Sequence, residues 1–182
     1  MEIVIPNDTT MITEREFVNN QLTSITIPNS VIEIGNNAFY NNSLTSVTIP
    51  NSVIKIKNGA FAHNQLTNIE LSNNLIEIEQ FAFLNNQLIN IQIPDSVTKI
   101  GNYAFENNQL TSITVPNSVT EIGNFAFKNN QLTNIIIPKS VTKIGKNAFS
   151  SNQLTDVAIP KRFRSQCCNI FGDITNITFT FI

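Results

Sequence analysis

Apolar residues recur along this chain in one fixed rhythm of 22 residues. Leucine restarts it at Leu22, Leu44, Leu66, Leu88, Leu110, Leu132 and Leu154. Counting that Leu as position 1, positions 4 and 6 are apolar in every copy, as in Ile25 and Ile27 or Val157 and Ile159. Alternation with a period of two predicts a short β-strand with one buried side. Pro follows at position 7 (Pro28, Pro50, Pro94, Pro116, Pro138, Pro160). It has no N–H to give a ladder, so it ends the strand. Positions 10 and 13, as in Val31 and Ile34, form the next inward pair and predict a second extended stretch on the opposite wall. Gly at position 14 (Gly35, Gly101, Gly123, Gly145) predicts a turn that needs positive φ. Ala and Phe at positions 17 and 18 predict one helical or 3-10 turn, with Phe39, Phe61, Phe83, Phe105, Phe127 and Phe149 stacked as a spine.

Position 21 is Asn at Asn20, Asn42, Asn64, Asn86, Asn108, Asn130 and Asn152. A loop that enters a core brings backbone groups that must be paired, and an inward carboxamide offers both donors and an acceptor. These residues read as structural. The register also runs past both ends. Ile3, Ile5, Pro6, Ile12 and Phe17 fit an opening copy, and Phe179 and Phe181 fit a closing strand. A fixed period in this range built on L-x-x-I-x-I predicts a leucine-rich-repeat solenoid. The expected architecture is a right-handed superhelix of short parallel strands, with β or 3-10 turns on the opposite wall and about nine rungs. It forms one domain over 1–182: an N-terminal cap repeat (1–21), six full repeats (22–153) and a C-terminal cap with a final strand (154–182).

The pattern L-x-x-I-x-I-P-x-S-V-x-x-I-G-x-x-A-F resembles the BspA-like, or Treponema pallidum-type, leucine-rich repeats. Asn stands at position 21 where many members of that family carry Cys, and many have repeats one residue longer. The resemblance implies a non-enzymatic binding protein, bacterial or protist, at the cell surface or secreted, tied to adhesion. It brings no motif of functional residues.

Composition changes this picture little. Apolar residues are 41% and charged residues 13%, without Trp, which suits many short strands. No run is long enough to span a bilayer. Met1 leads straight into Glu2-Ile3-Val4-Ile5-Pro6, already in register, so no secretory leader is recognised. A cytoplasmic scaffold is therefore the alternative reading. Cys167 and Cys168 are adjacent and predict neither a disulfide framework nor a metal site. No catalytic or phosphate-binding motif occurs. The lone histidine, His63, falls in a row of Asn at position 20. No enzyme activity, cofactor, metal site or sequence-specific nucleic-acid binding is expected.

Partners must then be sought where the copies differ. The outward strand positions are small and hydroxylated, and Thr26, Thr48, Glu70, Gln92, Thr114 and Ile136 trace a candidate concave binding face for a protein or glycan. Position 16 holds Phe81, Tyr103 and Phe125 in three consecutive copies, a candidate aromatic patch. Position 12 alternates in sign through Glu33, Lys55, Glu77, Lys99, Glu121 and Lys143, a register device. Residues 1–127 carry 4 basic and 11 acidic side chains, whereas 128–164 carry 7 basic and 1 acidic. Lys139, Lys143, Lys146, Lys161, Arg162 and Arg164 form a candidate basic patch. Opposed ends also make head-to-tail self-association an option.

Overall fold

Each 22-residue copy closes one turn of a parallel β-solenoid of about eight turns. This is a computed structural model that describes residues 2–182. The strands in chain order are β1 (Glu2–Val4), β2 (Met11–Ile12), β3 (Ser24–Thr26), β4 (Glu33–Ile34), β5 (Ser46–Thr48), β6 (Lys55–Ile56) and β7 (Asn68–Glu70). They continue with β8 (Glu77–Ile78), β9 (Lys99–Ile100), β10 (Glu121–Ile122), β11 (Asn134–Ile136), β12 (Lys143–Ile144), β13 (Asp156–Ile159) and β14 (Thr178–Phe181).

The second extended stretch predicted at position 13 carries the more continuous wall. Its two-residue strands join in one seven-stranded parallel sheet, β12-β10-β9-β8-β6-β4-β2. The L-x-x-I-x-I wall is interrupted. It forms three shorter sheets, β1-β3, β5-β7 and β11-β13-β14. Residues 88–93 and 110–115 keep the repeat's inward pattern without strand pairing.

A third ladder runs along the loop that carries Ala-Phe. The N–H groups of Asn37, Phe39 and Asn41 donate to the carbonyls of Asn58, Ala60 and Ala62 in the next rung at 2.8, 2.8 and 3.0 Å. The predicted helical or 3-10 turn is a hydrogen-bonded turn, in which the N–H groups of Ala38 and Tyr40 donate to the carbonyls of Gly35 and Asn37, three residues back, at 3.2 and 3.0 Å. This loop also corrects the reading of glycine. Positive φ falls at positions 16 and 20, as in Asn37 (54°), Gly59 (64°) and Asn41 (54°). The position-14 glycines are required for close approach. A Cβ on Gly123 would lie 2.5 Å from the Asn102 backbone N, a distance at which one rung must move away from the next.

Inside, the Phe spine forms as expected and is longer at both ends. From Phe17 through Phe149 to Phe171, neighbouring rings stack at 5.1–5.8 Å between centroids. The C-terminal cap is a 3-10 helix (Lys161–Gln166) running into α1 (Cys167–Phe171). It buries Phe163, Ile170 and Phe171 over the last rung, which removes an apolar end that a solenoid would otherwise expose.

Candidate functional site

The strand wall turns its alternate side chains to solvent. In β3, β5, β7 and β11 the central residue is buried and its two neighbours are exposed. Thr26, Thr48, Glu70, Gln92, Thr114 and Ile136 are all exposed and follow one another rung by rung. Thr48 Oγ1 donates to Glu70 Oε2 at 3.3 Å. Ile136 is 66% exposed, a large apolar group in an otherwise polar row. Beside Glu70 and Gln92, where pairing lapses after β7, the face opens into a cleft of about 550 Å³ also lined by Asn68, Asn90 and Pro94.

The aromatic row lies on another wall. Phe81 and Tyr103 stack at 4.9 Å between centroids, as do Tyr103 and Phe125. All three are half-buried. Their φ values are 61°, 59° and 58°, in a region where only Gly, Asn and Asp sit at low cost. Sequence spacing placed these residues in register but carried no sign of that backbone conformation. Asn37, Gly59 and Asn147, the equivalent residues in other rungs, suit it. Lys128 lies over the Phe125 ring at 5.3 Å and pairs with Glu106 at 3.2 Å.

The charge row at position 12 forms pairs. Lys55 reaches Glu33 at 3.9 Å, Lys99 reaches Glu77 at 3.1 Å, and Lys143 reaches Glu121 at 3.7 Å. Lys57 adds a contact to Glu33 at 2.8 Å. These hydrogen bonds and charges hold the Lys57 and Lys99 ammoniums above the ordinary lysine range. Burial, with Glu77 close by, pushes the Glu79 carboxyl up.

At the C-terminal end Lys139, Lys143, Lys146, Lys161, Arg162 and Arg164 are exposed. Two are partly committed to the fold. Arg162 donates to the Val141 carbonyl at 3.2 Å, and Arg164 covers the Phe181 ring at 4.3 Å. Cys167 is buried and Cys168 exposed, both as free thiols; burial and the neighbouring thiol raise the Cys167 pKa. His63 takes its place in the Asn row, with Asn85 Nδ2 3.3 Å from its Nε2. Among the described residues no group of three or more His, Cys, Asp or Glu is placed to hold a metal ion, and no helix is long and apolar enough to cross a membrane. A polar cleft between the last rung and the C-terminal cap, about 670 Å³, was not foreshadowed by the repeat pattern.

With this geometry in view, comparison with known proteins is informative. The profile of the BspA type leucine rich repeat region matches residues 1–110 and 98–182, in 6 copies. A leucine rich cell surface protein from Faecalibacterium prausnitzii A2-165 superposes with a TM-score of 0.63 at 32% identity. That match covers 86% of this chain and 46% of the other, so the chain spans under half of that protein's crystallised length. A leucine-rich repeat protein from Eubacterium ventriosum superposes over 100% of this chain and 72% of its own, with a TM-score of 0.56 at 22% identity. It shares the fold. No curated protein matches the sequence.

Proposed function

The chain belongs to the BspA-type leucine-rich repeat family, and from that premise we propose that it is a non-enzymatic adhesion module at the cell surface or secreted. It holds a protein or glycan partner on its strand face. The observation that carries this reading is the uninterrupted series of exposed residues at one strand position: Thr26, Thr48, Glu70, Gln92, Thr114 and Ile136. Hydroxyls and carboxamides spaced by one rung offer donors and acceptors without the strong desolvation cost of charges. Ile136 adds an apolar anchor at one end. The cell-surface likeness of the Faecalibacterium protein supports the location. The test measures attachment of purified protein to cells, matrix proteins and immobilised glycans. Thr48→Lys, Glu70→Lys and Gln92→Glu together should abolish it. Unchanged attachment would remove this face from the reading.

A second reading rests on the ends. β1 and β14 each have one unpaired edge, and the chain is acidic before residue 128 and basic after it. That arrangement supports charge-driven head-to-tail stacking as the second reading. Light scattering across ionic strength tests it, and a monomer at every salt concentration rejects it.

A further inference from the structure

The cleft at the C-terminal cap lies where the Asn ladder of the described residues reaches its C-terminal end. In six successive rungs the leucine N–H donates to the Oδ1 of the next rung's Asn. Leu22 uses Asn42, Leu44 uses Asn64, and so on to Leu132 with Asn152, all at 2.9–3.1 Å. The same Asn donates Nδ2 to the preceding rung's Phe carbonyl, as Asn152 does to Phe127 at 2.9 Å. The residue after it then donates its N–H to the leucine carbonyl, as Gln153 does to Leu132 at 2.9 Å. One Asn-Gln dipeptide (Asn42-Ser43 in the first case) thus satisfies three backbone groups.

At Leu154 all of this ends. Register puts Ile174 where the next Asn would stand, and it packs against the core. Thr175, in the following position, gives its N–H to Asp173 Oδ1 at 2.9 Å. That N–H is therefore committed locally and does not reach the Leu154 carbonyl. Among the described residues, none pairs with the N–H or the C=O of Leu154, although Leu154 is only 7% exposed. The Phe149 carbonyl takes one carboxamide, from Asn152, where Phe127 takes two. Leu154 and Phe149 both line the 670 Å³ cleft, with Ser151, Gln153 and Asn176 at its polar walls. Backbone groups of a nearly buried residue that find no pair within the fold take a partner where one can reach them.

We infer that this cleft is a docking site for a loop of a partner polypeptide carrying Asn followed by Gln or Ser. The partner's carboxamide oxygen accepts from Leu154 N–H, its NH2 donates to the Phe149 carbonyl, and the next backbone N–H donates to the Leu154 carbonyl. The chain's own Asn-Gln dipeptides fill the same seat six times over. The site is separate from the strand face, and the Thr48/Glu70/Gln92 set leaves it intact.

The probe is a capped hexapeptide copying Phe127–Leu132 (Phe-Lys-Asn-Asn-Gln-Leu), titrated into the isotopically labelled full chain. A counterpart peptide carries Asn130→Ile. The expected result is movement of the Leu154 and Ser151 amide resonances with the Asn peptide alone, and loss of that response in Ile174→Asn, which seats its own carboxamide. An equal response to both peptides, or none at millimolar peptide, overturns the proposal. Amide exchange in the unaltered chain is a check that needs no variant. Leu154 N–H should exchange at least tenfold faster than Leu132 N–H, and equal protection would show that the seat is already filled.

Discussion

The carboxamide oxygen of Asn86 accepts from the backbone N–H of Leu66 at 3.0 Å, 20 residues earlier in the chain. Its nitrogen donates to the carbonyls of Phe61 and Phe83 at 2.9 and 3.2 Å. One side chain therefore ties two successive rungs together through backbone groups that water cannot reach. Asn86→Ala removes these bonds at once, together with a longer one to the Leu84 carbonyl at 3.4 Å. Each orphaned buried group costs about 1–3 kcal/mol. We expect a fall in the unfolding midpoint of several degrees by calorimetry, and a change under one degree would contradict the ladder.

Phe105 and Lys99 provide a contrast within one rung. The Phe105 ring is fully buried between Phe83 at 5.4 Å and Phe127 at 5.3 Å. Truncation to Ala leaves a cavity in the spine, at a cost of about 3–5 kcal/mol. Lys99 pairs with Glu77 from a half-exposed position, where a pair contributes about 0.2–1 kcal/mol. Denaturant unfolding of Phe105→Ala and Lys99→Ala should rank them in that order. The reverse would invert the inward and outward assignments.

These two predictions rest on what was legible in the sequence. Strict recurrence of Phe39 to Phe149 and Asn42 to Asn152 demands one environment repeated, and only an inward row provides it. The backbone between them was less legible. Position-14 glycine was read as a turn residue, since a lone Gly signals freedom of φ as readily as lack of room. The residues with positive φ are hidden because Phe81, Tyr103 and Phe125 are side chains that ordinarily argue against it. The cleft beside Leu154 was illegible for another reason. It arises where, among the described residues, a rung near the C-terminal cap has no Asn at position 21 to pair with Leu154. The binding face was visible as alternation alone, since solvent-facing Thr and ligand-facing Thr obey the same period.

The distinction between lack of room and freedom of φ can be measured. Gly123→Ala would put its Cβ 2.5 Å from the Asn102 N and 2.6 Å from the Gly101 carbonyl carbon. Backbone cannot swing aside as a side chain can, so adjacent rungs must part. Overpacking of this kind costs about 1–3 kcal/mol. Thermal unfolding should show that loss, together with faster amide exchange at Gly123, whose N–H donates to Ile100 at 2.8 Å. Wild-type stability with unchanged protection would mean that the rungs are less closely packed.

The lysine pairs set a pH dependence. Hydrogen bonds and charge from Glu33 and Glu77 hold the Lys57 and Lys99 ammoniums, respectively, above the ordinary lysine range. A base with a raised folded-state pKa contributes stability that is fully present below its unfolded value and is lost as pH rises through the folded one. The difference in midpoint between wild type and Lys57→Gln/Lys99→Gln should therefore be constant from pH 6 to about 9 and close above about 10.5. A difference that closes between pH 6 and 8 would show that other groups control it.

The aromatic column separates packing from recognition most directly. Phe81, Tyr103 and Phe125 each occupy the left-handed region, at about 1–2 kcal/mol per residue for side chains other than Gly, Asn or Asp. Their two stacked contacts return about 0.5–1.5 kcal/mol each. Summed over the column, stacking of about 1–3 kcal/mol does not exceed the backbone cost of about 3–6 kcal/mol, so for stability alone the Asn found at Asn37 and Asn147 would serve at least as well. Mutual stacking covers both faces of Tyr103 and one face each of Phe81 and Phe125, with interplanar angles of 24° and 14°. The half-buried rings leave part of an apolar surface outward, of the kind that marks a partner site. Replacing all three by Asn keeps a residue that tolerates this backbone. The expected outcome is an unfolding midpoint within a few degrees of wild type and a marked loss of protein partner binding. A large fall in midpoint with binding intact would assign the column to packing.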